Sequence, residues 1–285
     1  MIAVTGAAGH LGRLVLDELL QRVPANQLVA AVRSPEKARD LAARGVLVRS
    51  ADYDAPETLD TAFQGVDELL LISALELGKR VRQHQAAIAA AKKAGVKLLV
   101  YTSLLHADTS GISLAVEHRA SEQAIRESKI PFVILRNGWY LENYTENLGP
   151  ALQHGVIMGA AKHGRIAGAA RADLAAAAAV VLTTPGHERK VYELGGDQPF
   201  TMAELAAEVA RQAGKPVTYQ DMPAEKYAET LRGFGLPGPV AEMLASADEG
   251  ISRGDLDDRG GELRRLIGRP TTTLAQAVSA ALKRA

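Results

Sequence analysis

Three glycines near the start of the chain carry the clearest chemical signal, in the stretch Gly6-Ala7-Ala8-Gly9-His10-Leu11-Gly12. They are spaced G-x-x-G-x-x-G, directly after the short apolar run Ile2-Ala3-Val4-Thr5, and a helix is expected to follow at once. A glycine-rich turn between a strand and a helix lets the backbone approach a pyrophosphate. The helix N-terminus then offers unpaired N–H groups and a partial positive charge. A strand before the glycines and a helix after them is the context a dinucleotide site requires. Gly6, Ala7, Ala8, Gly9, His10, Leu11 and Gly12 are therefore the first expected cofactor-binding residues.

The second signal is Arg33, at the end of the apolar segment Gln27-Leu28-Val29-Ala30-Ala31-Val32. In dinucleotide-binding folds the position about 20 residues past the glycines selects the cofactor, and an acidic side chain there would bind the ribose hydroxyls of NAD. A guanidinium instead suits a 2′-phosphate, which it can grip with two parallel hydrogen bonds. With Lys37 one helical turn on, Arg33 points to NADP(H); its other reading is a solvated arginine at a strand end.

The surrounding pattern alternates strand and helix. Strands are expected at 2–5, 27–33, 46–48, 69–73, 97–103 and 131–136, with helices between them, including 79–94 closed by Gly95 and 114–128. Ser34 reads as a helix N-cap before Pro35. Near-continuous apolar strands joined by helices give an α/β fold with a doubly wound parallel sheet, the Rossmann arrangement. Residues 1–137 are expected to form this domain, with 170–196 returning to the same sheet through a strand at 191–194. Residues 138–169 and 197–285 are expected to form a smaller C-terminal lobe of short helices separated by Gly and Pro. The alanine-rich run after Asp173 suits close packing against a sheet or another helix, and Thr201 with Glu204 reads as a capping box.

Ligands in such sheets lie beyond the C-terminal ends of the strands. Beside the glycine turn and Arg33, those ends carry Asp52, Ser73, Ala74, Thr102, Ser103, Asn137 and Gly138. Ser73 and Ala74 are expected near the ribose or diphosphate, and Asn137 and Gly138 near the nicotinamide. The helix after the fifth strand holds His118 and Glu122 but lacks the Tyr-x-x-x-Lys pair with which short-chain dehydrogenases handle an alcohol proton. Hydride can still pass to an acceptor that stabilises its own negative charge, as a quinone does. His118 is the weak candidate for a proton donor, or else a structural histidine. Trp139, Tyr140 and Tyr144 are three of the twelve aromatic residues in the chain. They are expected either to stack on a flat substrate ring or to wedge the two lobes together.

Composition narrows the alternatives. The 285 residues are 47% hydrophobic, enough for a large core. A formal net charge of zero favours neither nucleic acid nor an anionic membrane as partner. The absence of cysteine excludes disulfides, thiolate catalysis and Cys-based zinc or iron–sulfur sites. The longest apolar run, 174–182, is too short to span a bilayer. A strand beginning at Ile2 leaves no room for a signal peptide, so a cytoplasmic protein is expected, with its oligomeric state, homodimer included, left open.

Taken together the residues resemble the NmrA-like group of atypical short-chain dehydrogenases over essentially the whole length. The similarity rests on Ile2–Ala7, Tyr101-Thr102-Ser103-Leu104-Leu105-His106-Ala107-Asp108, Leu135-Arg136-Asn137-Gly138-Trp139-Tyr140 and Leu266-Ile267-Gly268-Arg269-Pro270-Thr271-Thr272-Thr273. Within the group the chain is most similar to flavin-free, zinc-free bacterial NADPH:quinone oxidoreductases. The resemblance implies NADPH bound by the glycine turn, Arg33, the Ser73 region, 137–142 and the loop around Arg171, and two-electron quinone reduction by direct hydride transfer. It leaves two alternatives: an NADP(H)-binding redox sensor without turnover, and a reductase of triphenylmethane dyes. If Arg33 selects the cofactor, Arg33→Asp erodes the preference for NADPH over NADH, measured as the ratio of kcat/KM values; an unchanged ratio contradicts that role.

Overall fold

The fold was analysed in a computed structural model that describes residues 1–283. Its strands are β1 Ile2–Thr5, β2 Leu28–Val32, β3 Leu47–Ser50, β4 Glu68–Leu71, β5 Leu98–Leu104, β6 Phe132–Asn137, β7 Val156–Gly159, β8 Val191–Leu194 and β9 Thr218–Asp221. Seven of them form one sheet in the order β3-β2-β1-β4-β5-β6-β8. Every junction from β3 through β5 is parallel, with Ile2 opposite Leu28 and Glu68, and Glu68 opposite Leu98. The residues explain this arrangement. All five positions of β2 are buried, as a strand covered by helices on both faces must be.

The order 3-2-1-4-5-6 is that of a doubly wound dinucleotide-binding sheet. Strand order reverses between β1 and β4, which opens a crevice beyond their carboxyl ends. The helix His10–Leu19 leaves β1 through the glycine turn and lies along the helix Arg171–Thr183. Ala175 to Ala179 are all buried in that second helix, so small side chains permit the close approach. Val191–Leu194 forms the expected strand, at the sheet edge beside β6.

The chain divides into two compact units. The first comprises Met1–Ser103, Glu117–Arg136 and Arg171–Tyr192. Its core gathers Phe63, Leu59, Leu69, Leu71, Tyr101 and Ile134. The second comprises Leu104–Val116, Asn137–Ala170 and the chain from Glu193 onward. Leu105, Ile112, Leu141, Ile166, Phe200, Leu205 and Ile251 are buried in its own core. In it β7 and β9 pair in parallel, Val156 opposite Thr218. Thr201 and Glu204 form the expected capping box: Thr201 Oγ1 accepts from the Glu204 N–H at 3.1 Å, and Glu204 Oε2 accepts from the Thr201 N–H at 2.7 Å. No helix among the described residues is long and apolar enough to cross a membrane.

Two local expectations are corrected. Ser34 is extended but its side chain caps nothing; Pro35–Ala38 is one turn of 3-10 helix, followed by the helix Arg39–Ala43. The region after 233 is not only short helices, because Gly238–Arg253 is a single helix of 16 residues. Gly250 lies inside it. A Cβ there would fall 2.3 Å from Ile112 Cγ1, so this glycine serves a close approach rather than a turn.

Candidate functional site

The glycine turn follows β1 at the strand-order reversal. Each glycine has a separate physical reason. Gly6 takes a left-handed φ of +58°. Gly9 is the extended N-cap of the helix His10–Leu19; its N–H donates to the Gly6 carbonyl at 2.9 Å, and no side chain makes a capping hydrogen bond there. Gly12 lies so close to the turn that a Cβ would stand 2.4 Å from the Gly6 carbonyl oxygen and 2.7 Å from the Ala7 Cα. No acidic side chain occupies the helix's first turn, so its partial positive charge is left uncancelled. The result is a bare backbone cradle at a helix N-terminus, which fits a dinucleotide diphosphate.

The cradle is tied to its neighbours. Thr5 Oγ1 accepts the Ile72 N–H at 3.0 Å and donates to the Leu70 carbonyl at 3.2 Å, linking β1 to the turn after β4. Thr102 Oγ1 accepts the Ser73 N–H at 2.9 Å, linking the same turn to β5. Arg13, absent from the sequence-based candidates, donates to the carbonyls of Ala8 at 3.2 Å and Lys37 at 2.6 Å and pairs with Asp40. It fastens the cradle to the segment after β2. Its hydrogen bond holds the Asp40 carboxyl below the ordinary carboxylate range. A cation one residue past the last glycine is the signal that could have found it.

Arg33 projects from the end of β2 with its side chain 69% exposed. Its Nη1 lies 3.3 Å from Glu76 Oε1, and Glu76 is shared with Lys79 at 2.9 Å. No acidic residue stands at the ribose-reading position, so the surroundings suit a 2′-phosphate. Asp52 serves its own turn instead: its Oδ1 accepts the Asp54 N–H at 3.0 Å.

His118 and Glu122 occupy adjacent turns of the helix Ser113–Ser128, both buried. His118 Nδ1 and the Tyr101 hydroxyl are 2.8 Å apart. Burial, with Arg80 and His84 nearby, pushes the His118 pKa well below its usual value, so the imidazole is neutral at working pH. Glu122 takes a forked pair from Arg136, Nε to Oε1 at 3.0 Å and Nη2 to Oε2 at 2.9 Å, and a third bond from Ser103 Oγ at 2.7 Å. Ser103 is thereby committed to a buried ion pair. Arg171 opens the helix Arg171–Thr183 in the same unit.

In the second unit Asn137 closes β6, its carbonyl accepting the Leu105 N–H at 3.0 Å, while its buried Oδ1 has no hydrogen-bond partner. Gly138 leaves no space for a side chain: a Cβ would lie 2.6 Å from the Ala167 carbonyl oxygen. Tyr140 bridges to Ala169, and the Trp139 carbonyl accepts the Ala169 N–H at 3.0 Å. Trp139 and Tyr144 are half-buried against this unit's core, Tyr144 edge-on to Phe200 at 5.8 Å. The Tyr144 hydroxyl is buried with no partner. Asp248 is a feature the sequence did not reveal. It is buried, its Oδ2 accepts the Ala160 N–H at 2.8 Å, and burial, reinforced by Asp221, raises its pKa to about 6.

Residues 1–259 match the NmrA-like family. The chain is 54% identical over 279 residues to quinone oxidoreductase 2 of Escherichia coli (strain K12), covering 98% of each. The crystal structure of the NADPH-dependent quinone oxidoreductase from Escherichia coli complexed with NADPH superposes with a TM-score of 0.97 at 53% identity, covering 99% of this chain and 100% of that one. The Citrobacter sp. triphenylmethane reductase complexed with NADP(H) superposes with a TM-score of 0.94 at 42% identity, covering 99% and 100%.

The cradle geometry separates two glycines by experiment. Gly12→Ala forces a backbone shift and is expected to cost about 1–3 kcal/mol in thermal unfolding. Gly9→Leu, at an extended φ of −78° but with a Cβ 3.2 Å from the Gly6 carbonyl oxygen, is expected to cost about 1 kcal/mol of stability and to abolish dinucleotide binding in calorimetric titration. Asp248 gives a pH signature. The folded carboxyl keeps its proton to about pH 6 and the unfolded one only to about pH 4, so its charged form penalises folding above pH 6 and the penalty disappears as the pH falls through that window. Asp248→Asn is therefore expected to stabilise the protein at pH 8 by about 2 kcal/mol and to have little effect at pH 4, read from denaturant melts.

Proposed function

We propose that this chain, which belongs to the NmrA-like family, reduces quinones by two electrons with NADPH as donor, without flavin or metal. The observation that carries the reading is near-full-length similarity to an NADPH-dependent quinone oxidoreductase, in a chain whose bare glycine cradle and Arg33 supply what that cofactor requires. The diphosphate, 2′-phosphate and sugar contacts are assigned to residues of the first unit, and the substrate contacts to residues of the second. Gly6 to Gly12 take the diphosphate, Arg33 the 2′-phosphate, and Ser73 and Ala74 the adjoining sugar. Asn137, Gly138, Trp139, Tyr140 and Arg171 keep the cofactor-binding roles that the resemblance implies, and Trp139, Tyr140 and Tyr144 are assigned to the substrate.

When bound, NADPH supplies a hydride to the quinone. The protein's part is positioning and exclusion of water rather than acid–base chemistry. One hydride and one proton convert a quinone to a hydroquinone, and the proton comes from solvent because the reduced anion is aromatic and stable enough to wait for it. His118 fits this division of labour: it is a buried neutral imidazole bonded to Tyr101, not a poised acid. Similarity to a triphenylmethane reductase favours a second acceptor class, since a cationic dye also accepts hydride without an acid.

The test is NADPH oxidation at 340 nm by purified protein, with and without menadione or a triphenylmethane dye. Quinone-dependent turnover is expected, much weaker with NADH, and His118→Ala is expected to cost less than about tenfold in kcat. Tight NADPH binding with no turnover on either acceptor class would replace the enzyme with a redox sensor. A large loss at His118 with binding intact would make it a proton donor.

A further inference from the structure

The turn between β4 and the helix Arg80–Ala94 is held by buried side chains that the proposed function leaves unused. His84 lies inside that helix, fully buried. Its Nε2 accepts the Ala74 N–H at 2.9 Å. A nitrogen that accepts carries no proton, so the hydrogen sits on Nδ1, which is 2.8 Å from Ser121 Oγ. Ser121 Oγ in turn donates to the Glu117 carbonyl at 2.8 Å, which completes a one-directional chain. The carbonyl of the same residue is held as well: Arg80 Nε donates to the Ala74 carbonyl at 2.7 Å. Arg80 is fixed by an ion pair with Glu117, whose Oε1 also accepts the Gly78 N–H at 3.0 Å.

The clamp needs a neutral imidazole, because a doubly protonated ring has no acceptor for Ala74. Tyr53 and Tyr101 stand edge-on to the ring at 6.3 and 5.3 Å, and His118 and Glu117 come from the helix Ser113–Ser128. Burial, then the Arg80 cation, pushes the His84 pKa down to about 3. The clamp therefore stays closed throughout the working pH range. Between the pinned ends Leu75 is 92% exposed, so the turn is rigid at its bases and open at its apex.

We propose that His84 is a positioning residue for the nucleotide, holding the Ala74 peptide in the orientation in which the turn after β4 meets the cofactor. This rests on the assignment of Ser73 and Ala74 to NADPH binding. Nothing in the glycine turn or in Arg33 requires it. An untethered turn would sample other orientations, and binding would then have to order it.

Three substitutions test the role. His84→Gln carries an amide oxygen near the Nε2 position and can accept from Ala74. His84→Asn reaches only as far as Nδ1, and His84→Leu accepts nothing. NADPH dissociation constants by titration are expected within about threefold of wild type for His84→Gln and raised about tenfold or more for His84→Asn and His84→Leu, the loss of roughly one hydrogen bond. The kcat at saturating NADPH should stay within about threefold in all three, a split that general destabilisation does not produce. In cofactor-free protein the Ala74 amide should exchange faster in His84→Asn and His84→Leu than in His84→Gln. Equal NADPH affinity and equal Ala74 exchange across Gln and Asn overturn the proposal, and that pair decides it even where the Leu variant does not fold. Wild-type protein that binds no NADPH overturns the cofactor assignment and this proposal together. Normal wild-type binding with indifferent His84 variants overturns this one alone.

Discussion

Gly12 has no room for a single further carbon, and much of the first unit follows from that. The lack of a side chain there, where a Cβ would strike the Gly6 carbonyl, lets the helix His10–Leu19 start close after β1. A helix begun there points its free N–H groups back at the strand end, where the strand order reverses. The same register carries Arg13 to the Ala8 and Lys37 carbonyls and so binds the turn to the segment after β2. The helix Arg171–Thr183 responds with a run of buried alanines, the side chains that let two helices lie close. Tight backbone packing, more than any single side chain, makes the cradle.

The first unit also holds several buried polar groups that partner one another. His84 and His118 are both kept neutral by burial beside Arg80, and Arg80 is answered by Glu117. Glu122 is saturated by Arg136 and Ser103. Removing one partner from such a pair leaves an uncompensated charge, so these groups specify geometry more than they add stability. Neither histidine is poised to exchange a proton at neutral pH. That suits a reaction whose acceptor bears its own charge, and it makes orientation the main contribution of the protein. The exception is Asp248 in the second unit, a carboxyl kept at a cost to stability and titrating near neutrality.

What was legible in the sequence was local. The G-x-x-G-x-x-G spacing, the apolar strands and the Thr201 capping box each depend on residues a few positions apart, and each is present in the structure. The alanine run gave packing but not its partner helix. What escaped notice depends on chain returns. His84 meets Ala74 and Ser121 across a turn and between helices, and the Asp248 contact with Ala160 joins residues 88 apart. Gly250 makes space inside a helix for Ile112, a role set by a residue far away in the chain. Ser34 has the right residue type for a cap, yet the chain continues into a 3-10 turn that gives its hydroxyl no N–H to accept.

In the proposed reaction hydride passes directly from NADPH to the acceptor while both are bound. Initial rates measured over a grid of NADPH and quinone concentrations test it most directly. Direct transfer predicts intersecting double-reciprocal lines and no NADPH oxidation until quinone is added. Parallel lines, with NADPH oxidised in one stoichiometric burst before quinone is present, would mean that the electrons are first stored on the protein, and would contradict the claim.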